Sequence, residues 1–255
     1  MRFVRHFLDA LSFFTCLVPA RMVSGSSLAQ CAPFLFPCGL VLGSAASLGA
    51  ALALAFLDGH ALPCPLPALV AALVWLVAEI LLSRGLHWDA VADMADALGS
   101  YREGGAFRAV LKDSRLGTFG ALALIVVFAG QFLALAGHLT QGQWLVLILA
   151  PAWGKNTAFW LLSLAQPYDR RSLGGKFAEA GSRQNMALCL FLTLCSLLAL
   201  FCSGISLTGL AMLCLFQALL IGKFVFWSRH YGGYSGDFIG ALMETGQCLC
   251  LVCTL

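Results

Sequence analysis

Charge is scarce in this sequence. Only 11% of the 255 residues are Asp, Glu, Lys or Arg, against about 25% in a soluble domain. The 12 acids and 15 bases leave a net charge of +3. The bases are split among several segments and form no stripe, which argues against nucleic acid as a partner. Paired cysteines are missing too: there are 11 cysteines but no CxxC. Most, including Cys38, Cys189, Cys195, Cys202 and Cys214, lie inside apolar runs. Cys248-Leu249-Cys250, with Cys253 nearby, comes nearest to a cluster, and it also sits in an apolar segment. All of them read as small hydrophobes rather than metal ligands or bridges. No internal repeat is evident. Nor is a cleavable signal peptide: residues 3–18 form only a short apolar run, and Pro19-Ala20-Arg21 is no small-residue cleavage site.

Apolar sequence is what the chain has in abundance, with 60% hydrophobic residues and a mean hydropathy of +0.89. Apolar runs fall at 34–57, 66–83, 119–137, 144–165, 186–203, 205–226 and 238–255. At about 1.5 Å per residue each can cross roughly 30 Å of hydrocarbon, the last only marginally. Turn signals separate them at Leu62-Pro63-Cys64-Pro65-Leu66-Pro67, Gln141-Gly142-Gln143 and Ser203-Gly204. Bases occupy every second connection. They are Arg2, Arg5 and Arg21; then Arg84, Arg102, Arg108, Lys112 and Arg115; then Arg170, Arg171, Lys176 and Arg183; then Arg229, with Lys223 at its edge. The positive-inside rule places those segments in the cytoplasm. The expectation is an all-α, polytopic integral membrane helical bundle. It has about seven transmembrane helices, one domain over 1–255, and residues 3–18 as an amphipathic helix in the interface.

Against that background, residues 87–100, HWDAVADMADALGS, stand out. Read as a helix continuing from the second span, Asp89, Asp93 and Asp96 are spaced i, i+4 and i, i+7, on one face. Like charges at that spacing repel, and no base falls between Asp89 and Arg102. Two readings stand: a site for an oxygen-preferring divalent cation, or a solvated polar face. A second stretch, Lys112-Asp113-Ser114-Arg115-Leu116-Gly117-Thr118-Phe119-Gly120, offers cations, hydroxyls and close backbone approach, which suit phosphate oxygens. Its bases equally suit ordinary positive-inside flanking. A third, Gly232-Gly233-Tyr234-Ser235-Gly236-Asp237, leads into a span holding Glu244, a group that avoids lipid. Lys155 sits inside the fourth span and Glu79 near the end of the second; each should face the bundle interior, where they could pair. His87 is a candidate base, substrate donor or helix-end partner.

Together these stretches resemble a known family. Gly85-Leu86-His87-Trp88-Asp89-Ala90-Val91-Ala92-Asp93-Met94-Ala95-Asp96-Ala97 resembles the GLHxDGxADxADG signature of cobalamin (5′-phosphate) synthase, also called adenosylcobinamide-GDP ribazoletransferase. Residues 112–120 are similar to its KDSRxGxxG stretch. Gly236-Asp237 with Gly240-Ala241 and Glu244 is similar to its GDxxGAxxE ending. Ala90 and Ala97 replace usual glycines, and Lys155 stands where an arginine is common. The resemblance implies a bacterial cytoplasmic (inner) membrane enzyme, multi-pass, with its active site facing the cytoplasm. It implies transfer of phosphocobinamide from adenosylcobinamide-GDP to α-ribazole or α-ribazole 5′-phosphate, with GMP leaving and Mg²⁺ as cofactor. Carried onto this sequence, Asp89, Asp93, Asp96 and Asp113 would bind metal. His87 or one aspartate would take the hydroxyl proton. Lys112, Ser114, Arg115, Lys155, Asp237 and Glu244 would contact substrate. The lipid bilayer is the other partner, and a homo-oligomer is left open.

Two rival readings fit less well. A CDP-alcohol phosphotransferase needs DGxxAR and then GxxxDxxxD, but here no arginine follows Ala92 and the acids are too closely spaced. A cation transporter should place polar groups near the midplane and in paired halves, which the bare outer connections argue against.

Overall fold

Regular structure in the described residues is helical throughout, apart from one isolated bridge between Pro167 and Tyr234. The computed structural model describes residues 2–21, 30–60, 62–177 and 182–255. Parts of two expected cytoplasmic segments, 22–29 and 178–181, therefore lie outside the described residues.

The long helices follow the apolar runs closely. They are α2 (Leu35–Leu57), α3 (Leu66–Leu82), α6 (Thr118–Thr140), α7 (Trp144–Leu164), α9 (Arg183–Cys202), α10 (Leu207–His230) and α11 (Gly236–Cys253). Between them lie α1 (Arg2–Phe14), α4 (Leu86–Gly99), α5 (Gly104–Leu111) and the single turn α8 (Leu173–Lys176). Among the described residues six helices are long and apolar enough to cross a membrane, or seven if the bent pair α3 and α4 is one span. Apolar side chains such as Leu194 and Leu198 on α9, and Ile125 and Val126 on α6, point outward, as lipid-facing positions should.

Helix α7 is the hub: 83% of its membrane window is buried, against 17% for α9. Small residues let its neighbours close in. A Cβ on Gly39 or Gly43 of α2 would strike the α7 backbone at Ala152 or Ile148, and one on Gly154 of α7 would strike the Met243 carbonyl of α11. Close small-residue approach is how helices associate where the solvent is itself apolar.

Helix α4 does not continue α3. Arg84 (φ 58°) and Gly85 (φ 63°) are both left-handed, and the two helix axes meet at 88°. A left-handed arginine is uncommon, and here its side chain is tied down. Arg84 Nη2 donates to the Ser12 and Phe13 carbonyls at 3.0 and 2.8 Å. These are among the last carbonyls of α1, which a helix leaves open. The Cys16 amide returns a bond to Leu82 O at 2.8 Å. The 13 residues of α1 reach about 20 Å, too short to span hydrocarbon. Ala10, Leu11 and Phe14 are buried while Phe3 and Val4 are exposed, so α1 is an amphipathic helix docked on the bundle.

The long connections knit together at one end. Tyr168 and Tyr234 exchange partners through Tyr168 N to Tyr234 O and Tyr234 N to Gln166 O, both 2.9 Å. Arg108 of α5 donates to Tyr231 O at 2.9 Å and to Gly233 O, and its guanidinium stacks on Tyr168 at 4.1 Å.

Candidate active site

Helices α4 and α11 meet where the acids are. A Cβ on Gly240 would press on the Ala90 methyl, so Ala90 fills the seam between them. That contact sets Asp237, in the first turn of α11, beside the acidic face of α4. Asp93 is half-buried and lies in the electrostatic field of Asp89, Asp237 and Asp96. Among the described residues, none of these four carboxylates has a Lys or Arg nitrogen within 4.0 Å. Asp237 accepts only the Ser235 hydroxyl, at 2.9 Å.

Asp96 behaves differently. Its two oxygens accept the Gly117 amide at 2.7 Å and the Gly120 amide at 2.8 Å. A Cβ on either glycine would collide with that carboxylate. The start of α6 is thus an anion-binding helix end, and the anion it receives is the protein's own. The two amides orient the Asp96 carboxylate, and each of its oxygens keeps a further lone pair. Asp113 stands on the neighbouring loop. It pairs with Arg115 at 2.6 Å in an exposed loop, and the Arg115 hydrogen bonds hold its carboxyl down at about 2. It is not among the carboxylates that bear on Asp93. No group of three His, Cys, Asp or Glu side chains among the described residues is drawn together tightly enough to hold a metal unaided.

Among the described residues, two cavities beside the cluster share Asp237, and a third, open groove takes in Asp96, Asp113 and Arg115. The first, of ≈ 200 Å³, is bounded by α1, α4, α7, the α8 turn and α11, and His87, Asp89 and Ala90 lie in its wall. The second, of ≈ 130 Å³, takes in Arg108, Lys112, Tyr168, Asp169 and Ser172. Sequence reading missed Arg108 as a site residue. The available signal was its i, i+4 spacing to Lys112, which puts both cations on one face of α5. Ser114 is exposed on the 112–117 loop and lines neither cavity.

Lys155 and Glu244, expected at substrate, lie elsewhere. Both are buried in the bundle at 1% exposure, and neither lines the two cavities. Lys155 faces Glu79 and Glu244. Glu244 accepts from Gln131 Nε2 at 2.6 Å, Gln131 accepts from Gln247 at 3.0 Å, and Glu79 accepts from Trp88 Nε1 at 3.2 Å. This is an interior polar network.

The model of the Cobalamin-5-phosphate synthase family matches residues 6–255. A protein of Nitratidesulfovibrio vulgaris called adenosylcobinamide-GDP ribazoletransferase is 35% identical over 239 residues, covering 94% of this chain and 92% of its own. Proteins with the same name from Thiobacillus denitrificans (34%, covering 88% and 85%) and Klebsiella pneumoniae (32%, covering 99% and 100%) are also similar. No solved structure matches the chain.

Proposed function

The chain belongs to the cobalamin-5-phosphate synthase family, and from that membership we propose that it transfers phosphocobinamide from adenosylcobinamide-GDP to α-ribazole or its 5′-phosphate. A ribose hydroxyl of the acceptor forms a bond to the corrinoid-bearing phosphorus, a pyrophosphate P–O bond breaks, and GMP leaves. Such displacement depends on positioning and charge neutralisation more than on covalent help from the protein. The observation that carries the reading is Asp237. It stands in the walls of two cavities at once, one with His87 and Asp89 and the other with Arg108 and Lys112, so acceptor and donor can meet over one set of carboxylates.

The donor chemistry at that meeting point fits Mg²⁺. Asp89, Asp93 and Asp237 offer only oxygen, have no close cationic partner among the described residues and leave Asp93 crowded by like charge. Mg²⁺ takes oxygen ligands and is usually held by one or two carboxylates plus substrate phosphates, which suits a cluster that is no complete cage. When bound, the ion would neutralise phosphate charge. Asp89, Asp93 and Asp237 would hold it, and the exposed Asp89 would receive the hydroxyl proton. Lys112, and Arg108 behind it, would face the pyrophosphate. The charged connections are proposed to face the cytoplasm, where nucleotides are available.

The test is direct. Membranes holding the protein should convert adenosylcobinamide-GDP, α-ribazole and Mg²⁺ to cobalamin and GMP. No product from folded protein, with an active relative run in parallel, overturns the proposal.

A further inference from the structure

The ≈ 200 Å³ cavity is poor in polar groups and rich in rings. Phe14 and Phe177 stand 6.1 Å apart, and the Phe14 ring is 6.1 Å from the His87 imidazole. Leu162 and Met243 continue the apolar wall. His87 is 3% exposed, and its Nε2 is buried with no hydrogen-bond partner. Among the described residues, Asp89 and Asp237 are the charged side chains in that wall.

Resting on the transferase reading above, we infer that this cavity receives the planar apolar base of the riboside acceptor, with His87 Nε2 donating to its free ring nitrogen. Three ligand parts compete for the space. A corrin macrocycle is excluded by size, since ≈ 200 Å³ lies below the ~300–1,000 Å³ of ordinary ligand clefts. Guanine has more polar edges to satisfy, a carbonyl, two kinds of N–H and a ring nitrogen, whereas among the described residues this wall offers His87 and the two aspartates that face the ribose. The cavity across Asp237 supplies further donors through Arg108 and Lys112, with Tyr168 as a stacking face. A fused benzene–imidazole ring bound to ribose has no N–H at all. It has one acceptor nitrogen and two apolar faces, and the cavity has one unpaired donor position and aromatic walls. Seating the base here brings the ribose hydroxyls to Asp89 and Asp237. The docked N-terminal helix then closes the base site, because Phe14 comes from the last turn of α1.

The experiment is a split of Michaelis constants in the purified full-length protein. Leu162→Trp should fill the cavity and raise KM for α-ribazole at least tenfold, with KM for adenosylcobinamide-GDP within twofold of wild type. Phe177→Leu should move the same constant in the same direction by less, and it guards against misfolding of the bulkier variant. Independently, the benzimidazole fluorescence of α-ribazole should change on binding wild-type protein alone. Free benzimidazole should reverse that change and guanosine should not. Inactive wild-type protein overturns the transferase reading and this assignment with it. Active wild type whose variants raise only the nucleotide constant, or whose riboside signal guanosine displaces, overturns the cavity assignment alone.

Discussion

Two groups of acids divide the molecule, and they are treated in opposite ways. Glu79 and Glu244 lie inside the bundle with Lys155, Gln131, Gln247 and Trp88 around them. Asp89, Asp93 and Asp237 lie at the mouth, with no cation at bonding distance among the described residues. The interior has no water to solvate a charge, so its carboxylates must find partners in the fold. The mouth has access to solvent and ligands, and there the fold leaves negative charge unanswered. The difference separates charge that holds the bundle together from charge that waits for a bound species. Helical spacing sets Asp89 and Asp93 apart in the sequence, but leaves Asp237 and Glu244 on one footing.

The largest expected effect breaks the mouth. Asp93→Asn should lower kcat/KM by about 10²–10⁴-fold without lowering the unfolding temperature, since it removes repulsion. Full activity with unchanged Mg²⁺ dependence would erase the distinction. The interior should answer inversely. Lys155→Met leaves buried carboxylates facing no cation and should cost about 3–5 kcal/mol, read from denaturant unfolding in detergent. Lost transfer at unchanged stability would return Lys155 to the active site. Mg²⁺ sharpens the contrast further. At 100 times its Kd it should stabilise wild-type protein by about 2.7 kcal/mol, a shift that Asp93→Asn abolishes and Glu244→Gln retains.

Smaller effects concern Asp96 and Asp113. Gly120→Ala displaces the Asp96 carboxylate from the α6 amides and should destabilise by about 1–2 kcal/mol, seen as a lower unfolding temperature. Asp96→Asn that removed metal dependence outright would make Asp96 a ligand. Least of all, Arg115→Ala should lower the unfolding temperature only slightly at neutral pH, because solvent screens so exposed a pair. Arg115 lowers the Asp113 carboxyl from 3.8 to about 2. A lowered acid value contributes stability that is present above about pH 4 and fades as pH falls towards 2, so the slight difference from wild type should be seen at pH 7 and vanish near pH 2. A clear loss at pH 7 would show that this exposed pair has another partner.

Much of the fold is legible in the sequence because hydrophobic length and turn residues are local signals. The seven expected runs and the seven long helices agree to within a few residues, and the 13-residue α1 is too short to join them for the same reason. The face shared by Asp89 and Asp93 is legible too, from helical spacing alone. What escapes is long-range. Nothing near Asp96 announces that its oxygens are claimed by Gly117 and Gly120, more than twenty residues on. Nothing near Arg84 announces an 88° turn, since its left-handed backbone is stabilised by carbonyls from residues 12 and 13. Lys155 and Glu244 are ambiguous in the sequence for a related reason. A charge in an apolar run signals a buried polar partner, and spacing cannot say whether that partner is substrate or another helix.

The dependence of both cavities on Asp237 has a consequence for how the protein comes into being. Asp237 opens the last helix, and the base site also needs Phe14 from the first. A ribosome has released almost the whole chain before either wall is complete. Partly made protein can fill the membrane with correctly inserted helices and still carry no reaction chamber. Chains cut short before α11 should therefore be silent, incapable of half-reactions or of squandering corrinoid nucleotide.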